Sequence, residues 1–217
     1  MRPLEQQLRD GAQVLGLDLR PSQMDALLDY LDLLQKWNKT YNLTGVRSAA
    51  EMLRLHLLDS LAVVGPLRRY VAESPCHRPR VLDVGSGAGL PGAVLAVCCA
   101  QYSVVCVDAV AKKAAFIQQV AMALKLPNLQ GVHARVEEVA GKFDIVISRA
   151  FASLDQFTGL SGASLAAHGA WLAMKGKRPD EELSALPESV RVFHVEPLTV
   201  PGLDVHRCLV WMRRADA

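Results

Sequence analysis

Residues 80–92 read Arg-Val-Leu-Asp-Val-Gly-Ser-Gly-Ala-Gly-Leu-Pro-Gly: a short apolar run enters a turn with glycines at Gly85, Gly87, Gly89 and Gly92. Glycine lets the main chain bend sharply and lets a ligand approach it closely. A helix that starts after such a turn presents unpaired N–H groups. Gly87-Ala-Gly-Leu-Pro-Gly92 fits G-x-G-x-x-G, the dinucleotide pattern, although the same string also describes a tight loop that holds nothing. Asp83, two residues before Gly85, argues against a diphosphate, which its carboxylate would repel. A cationic cofactor such as S-adenosylmethionine, with an amino group and a sulfonium, suits it better. Asp108 ends the next strand-like run 25 residues after Asp83, where an acid commonly holds ribose hydroxyls.

Other side chains carry less specific signals. Arg149 follows the apolar run Ile145-Val-Ile147, so it is either a rim ion pair or a ligand group, able to hold phosphate bidentately or to stack on a base. Cations available to an RNA are Lys36, Lys39, Arg47, Arg54, Arg149, Lys175, Lys177 and Arg178. Lys175-Gly-Lys-Arg178 follows a strand, although a short basic run is also an ordinary solvated loop. Trp37 and Tyr41 are able to stack on a base, yet a tryptophan on a helix face usually belongs to a core. His56, Asp59 and Ser60 lie too close on one helix for a hydrolase triad, and no G-x-S-x-G is present; His56 and Asp59 read as contacts between helices and sheet. The five cysteines, Cys76, Cys98, Cys99, Cys106 and Cys208, form no C-x-x-C, which points to neither a disulfide framework nor a metal site.

The elements that must position these residues change character near residue 80. Before it the pattern is helical. Leu4, Leu8, Ala12 and Leu15 recur at spacings of three and four, predicting a helix over residues 3–15. Pro21-Ser22 opens a second, with Ser22 as N-cap, Asp25 in the capping-box position, and a face of Met24, Leu27, Leu28, Leu31, Leu34 and Trp37. Ser48-Ala-Ala-Glu51 is a capping box leading into Met52, Leu55, Leu58 and Leu61. Residues 1–70 therefore form a helical cap, and 71–79, with Pro75 and Pro79, a linker. From 71 to 217 the chain forms one further unit. Its runs at 81–84, 103–107, 129–133, 143–147 and 171–174 lack polar alternation and are separated by helical stretches at 91–100, 112–124 and 153–167. That predicts an α/β fold, a parallel sheet covered on both faces. Residues 190–197 and 208–212 flank Pro201-Gly202 with no room for a crossover helix, so they close a mostly parallel seven-stranded sheet as an antiparallel hairpin. The composition, 51% apolar and 21% charged with net charge +2, excludes a disordered chain and is too weakly basic to announce nucleic-acid binding. No apolar run approaches the ~18 residues of a membrane span, and the first ten residues lack the apolar core of a signal peptide. A soluble cytoplasmic protein is the expectation.

Trp37-Asn38, Tyr41-Asn-Leu-Thr44, His56-Leu-Leu-Asp59-Ser60, residues 81–92, Arg135-Val-Glu-Glu138 and Ile147-Ser-Arg-Ala-Phe151, extended by Lys175-Gly176, follow one another in the order of one family. The chain resembles the glucose-inhibited division protein B family, Rossmann-like class I S-adenosylmethionine methyltransferases that act on a guanine N7 of 16S small-subunit ribosomal RNA. Ala88 stands where many members carry proline. The resemblance implies that Gly85 and Leu90 hold S-adenosyl-L-methionine, that Val136 and Glu137 lie beside its adenine, and that Arg149 faces the active site. With Asp83, Gly87, Gly89 and Asp108 these make up the expected cofactor set, and Arg149 and Asp83 act by positioning. No Asn-Pro-Pro-Tyr or Asp-Pro-Pro-Tyr occurs, and no Pro-Cys follows the 143–147 strand, against amine methylation and against cysteine attack on a pyrimidine. Guanine N7 has no proton to lose, so no essential base or nucleophile is expected; alignment alone lowers a barrier by ~7–11 kcal/mol. The implied partner is 16S rRNA or the small ribosomal subunit, met by a monomer without metal or membrane. Alternatives are a methyltransferase for a small molecule or protein, with the cap as lid, and a nucleotide-binding regulator or small NAD-dependent oxidoreductase.

Overall fold

The computed structural model describes residues 4–216; Pro3, at the expected start of the first helix, lies outside them. Helix α1 (Glu5–Val14) buries Leu8 and Ala12. Helix α2 (Pro21–Tyr41) starts two residues earlier than the Ser22 cap requires. Arg20 is the N-cap, and Gln23 Oε1 accepts its backbone N–H at 3.1 Å, so Ser22 and Asp25 sit inside the helix. Ser48 does precede α3 (Ala49–Met52), but its side chain makes no capping hydrogen bond. The chain then widens into a π-helical stretch, Leu53–Leu58, before α4 (Asp59–Leu61). The wider turn rotates the apolar face. Leu53 and Leu57 enter the core with Leu58 and Leu61 while Leu55 stays half-buried. Helix α5 (Val64–Glu73) runs through the first three residues of the expected linker.

Seven strands follow: β1 (Arg80–Val84), β2 (Ser103–Asp108), β3 (Leu129–His133), β4 (Phe143–Arg149), β5 (Leu165–Lys175), β6 (Val190–Pro197) and β7 (Cys208–Arg214). They form one sheet in the order β3-β2-β1-β4-β5-β7-β6. The first five are parallel, and β7 runs antiparallel to both β5 and β6. Helices α6 (Gly92–Cys98), α7 (Ala111–Ala123) and α8 (Leu154–Ser161) make crossovers, and α9 (Asp180–Ser184) follows β5. The last crossover helix is shorter than the residue 167 limit. After Ser161 a 3₁₀ turn, Gly162–Ser164, leads directly into β5. Gly169 lies so close to β4 that a Cβ would stand 3.0 Å from the Asp144 and Phe143 carbonyls, which lets β5 extend past an irregularity in the ladder.

Strand residues alternate between two faces. Val81, Ile145, Ile147, Leu172 and Leu209 join a core with the N-terminal helices, α6 and α7; Leu82, Val84, Val146, Trp171 and Val210 join one with Leu154 and Phe157 of α8. The N-terminal helices thus share a continuous interior with one face of the sheet. No helix among the described residues is long and apolar enough to cross a membrane.

Candidate active site

The parallel strands deliver their C-terminal ends to one edge, where open α/β sheets bind ligands. The glycine turn lies there, and three side chains fix its shape. Gly87 N–H donates to Asp108 Oδ2 at 3.0 Å, and Gly92 N–H to Asp83 Oδ2 at 2.7 Å. Tyr30 of α2 donates its hydroxyl to the Ala88 carbonyl at 2.8 Å. Gly85 has φ +63°, and a Cβ there would collide with the Phe151 ring. Gly89 (φ +82°) faces Ile117 of α7 and lines neither of the two cavities beside Gly85.

Two cavities flank Gly85 and Ala150, which line both. One, of about 430 Å³, is bounded by Val107, Asp108, Lys113, residues 134–137, Phe151 and Leu160. It brings together the expected Asp108, Val136 and Glu137. Asp108 is 6% exposed; its other oxygen accepts Val110 N–H at 2.9 Å, and Lys113 Nζ stands 3.7 Å away. The second cavity, of about 480 Å³, is lined by the turn at Gly87, Ala88 and Leu90, by Leu43, Thr44, His56 and Asp59 of the cap, and by Arg149, Lys175 and Arg207.

Asp83 belongs to neither wall. It is fully buried, its Oδ1 has no partner, and burial pushes its carboxyl up to about 7, against the opposing effect of the Gly92 N–H and then of Arg149. The expected contact between this carboxylate and a cationic ligand is therefore corrected to a structural one: Asp83 pins the start of α6, whose Gly92 has no room for a side chain between Cys106 Sγ and Asp83 Oδ2.

In the second cavity Arg149, at the end of β4, donates to Asp59 Oδ2 and to the Leu55 carbonyl, both at 3.1 Å. Arg207, before β7, donates to Asp59 Oδ1 at 2.8 Å. Asp59 is 3% exposed, so one carboxylate from the cap ties two guanidinium groups from the sheet edge. His56 Nε2 lies 2.8 Å from Thr44 Oγ1 while Nδ1 is unpartnered. Burial, then the Arg149 charge, lowers the imidazole pKa and favours its neutral form. Arg207 carried no signal in the sequence; it is a single cation in a loop.

The remaining basic candidates separate. Lys175 Nζ is bound to Glu182 at 2.7 Å and to the Ala152 carbonyl at 2.9 Å, and Arg178 is paired with Asp180 at 2.7 Å. The acids that neutralise the run come from α9, which the sequence reading did not place. Lys177, Lys36, Lys39, Arg47 and Arg54 are exposed, and among the described residues none of them is in an ion pair; none lines either cavity. No cluster of His, Cys, Asp and Glu among the described residues is arranged to hold a metal.

Comparison with known proteins agrees with this architecture. A family profile described as rRNA small subunit methyltransferase G matches residues 23–210. The chain is similar to ribosomal RNA small subunit methyltransferase G of Polaromonas sp. (strain JS666), 61% identical over 100% of this chain and 96% of that one. It is likewise similar to the protein of the same name from Acidovorax sp. (strain JS42), 62% identical over 96% and 95%. Among solved structures, TrmN from Thermus thermophilus superposes with a TM-score of 0.56 at 17% identity, over 71% of this chain and 48% of that one. A SAM dependent methyltransferase from Aquifex aeolicus does so with a TM-score of 0.55 at 15% identity, over 75% and 92%. These two likenesses concern the fold, that of class I methyltransferases.

Proposed function

The chain belongs to the family of rRNA small subunit methyltransferase G, and on that premise we propose that it transfers a methyl group from S-adenosylmethionine to N7 of a guanine in 16S rRNA. The cavity beside Asp108 fits a nucleoside. Val107, Val136 and Phe151 supply apolar walls for a flat base. Asp108 accepts two backbone N–H groups and, with about four acceptor sites on a carboxylate, retains capacity for ribose hydroxyls. Glu137 stands at the rim for the base edge. Gly85, Gly87 and Leu90 carry the cofactor across to the second cavity, because Gly85 lines both spaces. When bound, S-adenosylmethionine supplies an electrophilic methyl on a sulfonium.

The second cavity then receives the guanine. One observation carries the reading of its chemistry: among the described residues, the sole carboxylate lining it, Asp59, is clamped between Arg149 and Arg207, each of its oxygens already accepting from one guanidinium. N7 is an exposed lone pair on the base edge and needs no base, so a site of this kind suffices. Arg149 and Arg207 present cationic edges to an RNA phosphate or base, and Asp59 fixes their orientation. The test is methyl transfer from tritiated donor to small ribosomal subunits isolated from a strain lacking the protein. The expected product is one labelled nucleotide, whose site is cleaved by alkali and aniline. Label that resists cleavage overturns the N7 assignment, and label that enters only protein or a small molecule overturns the rRNA assignment.

A further inference from the structure

We propose that Tyr41 is a stacking platform for an unpaired nucleobase of the RNA close to the methylated guanine; this rests on the rRNA reading above. Tyr41 is the last residue of α2 and is 43% exposed. Its ring leans on Trp37, with centroids 4.9 Å apart. Trp37 in turn packs on Phe116 of α7 at 5.5 Å, and Phe116 on Tyr30 at 6.2 Å. Tyr30 ends the column with its hydrogen bond to the Ala88 carbonyl of the glycine turn. The outermost ring is therefore mounted on three further aromatics anchored in the cofactor-side turn.

Its position relative to the second cavity is set by the next residue. Asn42 takes the left-handed conformation, φ 48° and ψ 57°, and turns the chain so that Leu43 and Thr44 line that cavity. Arg47 donates to Asn42 Oδ1 at 3.0 Å, which places a guanidinium without a carboxylate partner among the described residues next to the platform. Phe193 of edge strand β6, the other exposed large aromatic among the described residues, is stacked on Tyr70 and covered by Arg213 of β7. Around Tyr41 the exposed neighbours Lys39, Thr40 and Asn42 are polar. A protein partner docks on a broad apolar patch, whereas a lone exposed ring amid polar and cationic groups matches the way proteins hold single-stranded bases. Trp37, expected in the core, is half-buried and serves as the support of this ring.

The test uses the full chain and unmethylated small ribosomal subunits, with Tyr41→Phe, Tyr41→Leu and Tyr41→Ala. Stacking predicts that Tyr41→Phe keeps the wild-type KM for subunits, while Tyr41→Leu and Tyr41→Ala raise it about tenfold or more. The affinity for S-adenosylmethionine, read by calorimetry, and the melting temperature stay at wild-type values in all three. Wild-type KM in the Leu and Ala variants overturns the proposal. So does an equal loss in Tyr41→Phe, which assigns the contact to the hydroxyl, and so does a parallel loss of donor affinity or melting temperature, which assigns Tyr41 a structural role. If the wild-type chain itself transfers no methyl group to the subunits, the rRNA reading fails first and the platform falls with it.

Discussion

Asp83 shows how a residue type misleads when its surroundings are unknown. Its place two residues before the first glycine marks it as a ligand group, but the fold turns it inward to hold Gly92 N–H, leaving one oxygen without a partner. Burial raises its carboxyl from 3.8 to about 7. Between these values the native state keeps a proton that the unfolded chain has released, so this group's contribution to stability declines as pH rises from about 4 to about 7 and is level above that. Asp83→Asn retains an oxygen for Gly92 and removes the buried charge. Denaturant unfolding should find the variant close to wild type at pH 4.5 and more stable at pH 8, by roughly 1–3 kcal/mol. A stability difference that does not change with pH would refute this account.

At the level of elements, the π-helical stretch and the hairpin meet at one carboxylate. π turns inside helices often occur at functional sites, and this one exposes the Leu55 carbonyl to Arg149 just ahead of Asp59. Asp59→Ala leaves two guanidinium groups facing each other. Because each Arg side chain keeps about a quarter of its exposure, the cost in stability should be about 2 kcal/mol, below the ~3–5 kcal/mol of a fully buried pair. The variant's methyl transfer should fall more than its donor affinity, as read by kinetics beside calorimetry. The parallel strands were legible from the chain because apolar runs without polar alternation have few other homes, and β3 and β6 match their expected limits. The π turn was not, since Met52, Leu55, Leu58 and Leu61 fit an ordinary helix equally well. Nor was Arg207, which meets Asp59 across 148 residues only because β7 runs back antiparallel. The Lys175 run was half legible: Asp180, Glu181 and Glu182 stand just beyond it, but only the fold shows that Asp180 and Glu182 turn back onto it.

For the whole molecule, a net charge of +2 predicts modest electrostatic attraction to RNA. With Lys175 and Arg178 already paired, the exposed cations left among the basic candidates are Lys36, Lys39, Arg47, Arg54 and Lys177. Neutralising at most these five together with Arg149 and Arg207 of the second cavity gives a slope of log affinity against log salt no steeper than about −6. A much steeper slope in binding measured from 50 to 300 mM salt would mean that another face carries the contact. The interior has a plainer consequence. Leu27, Leu31, Leu34, Leu53 and Leu57 share one cluster with Val94, Leu95 and Phe116, and Tyr30 reaches through it to the glycine turn. The first seventy residues are thus no detachable accessory. Grafting a foreign N-terminal segment to redirect this enzyme would strip about a third of its buried apolar side chains and unseat the turn, so retargeting must proceed by surface changes on an intact scaffold.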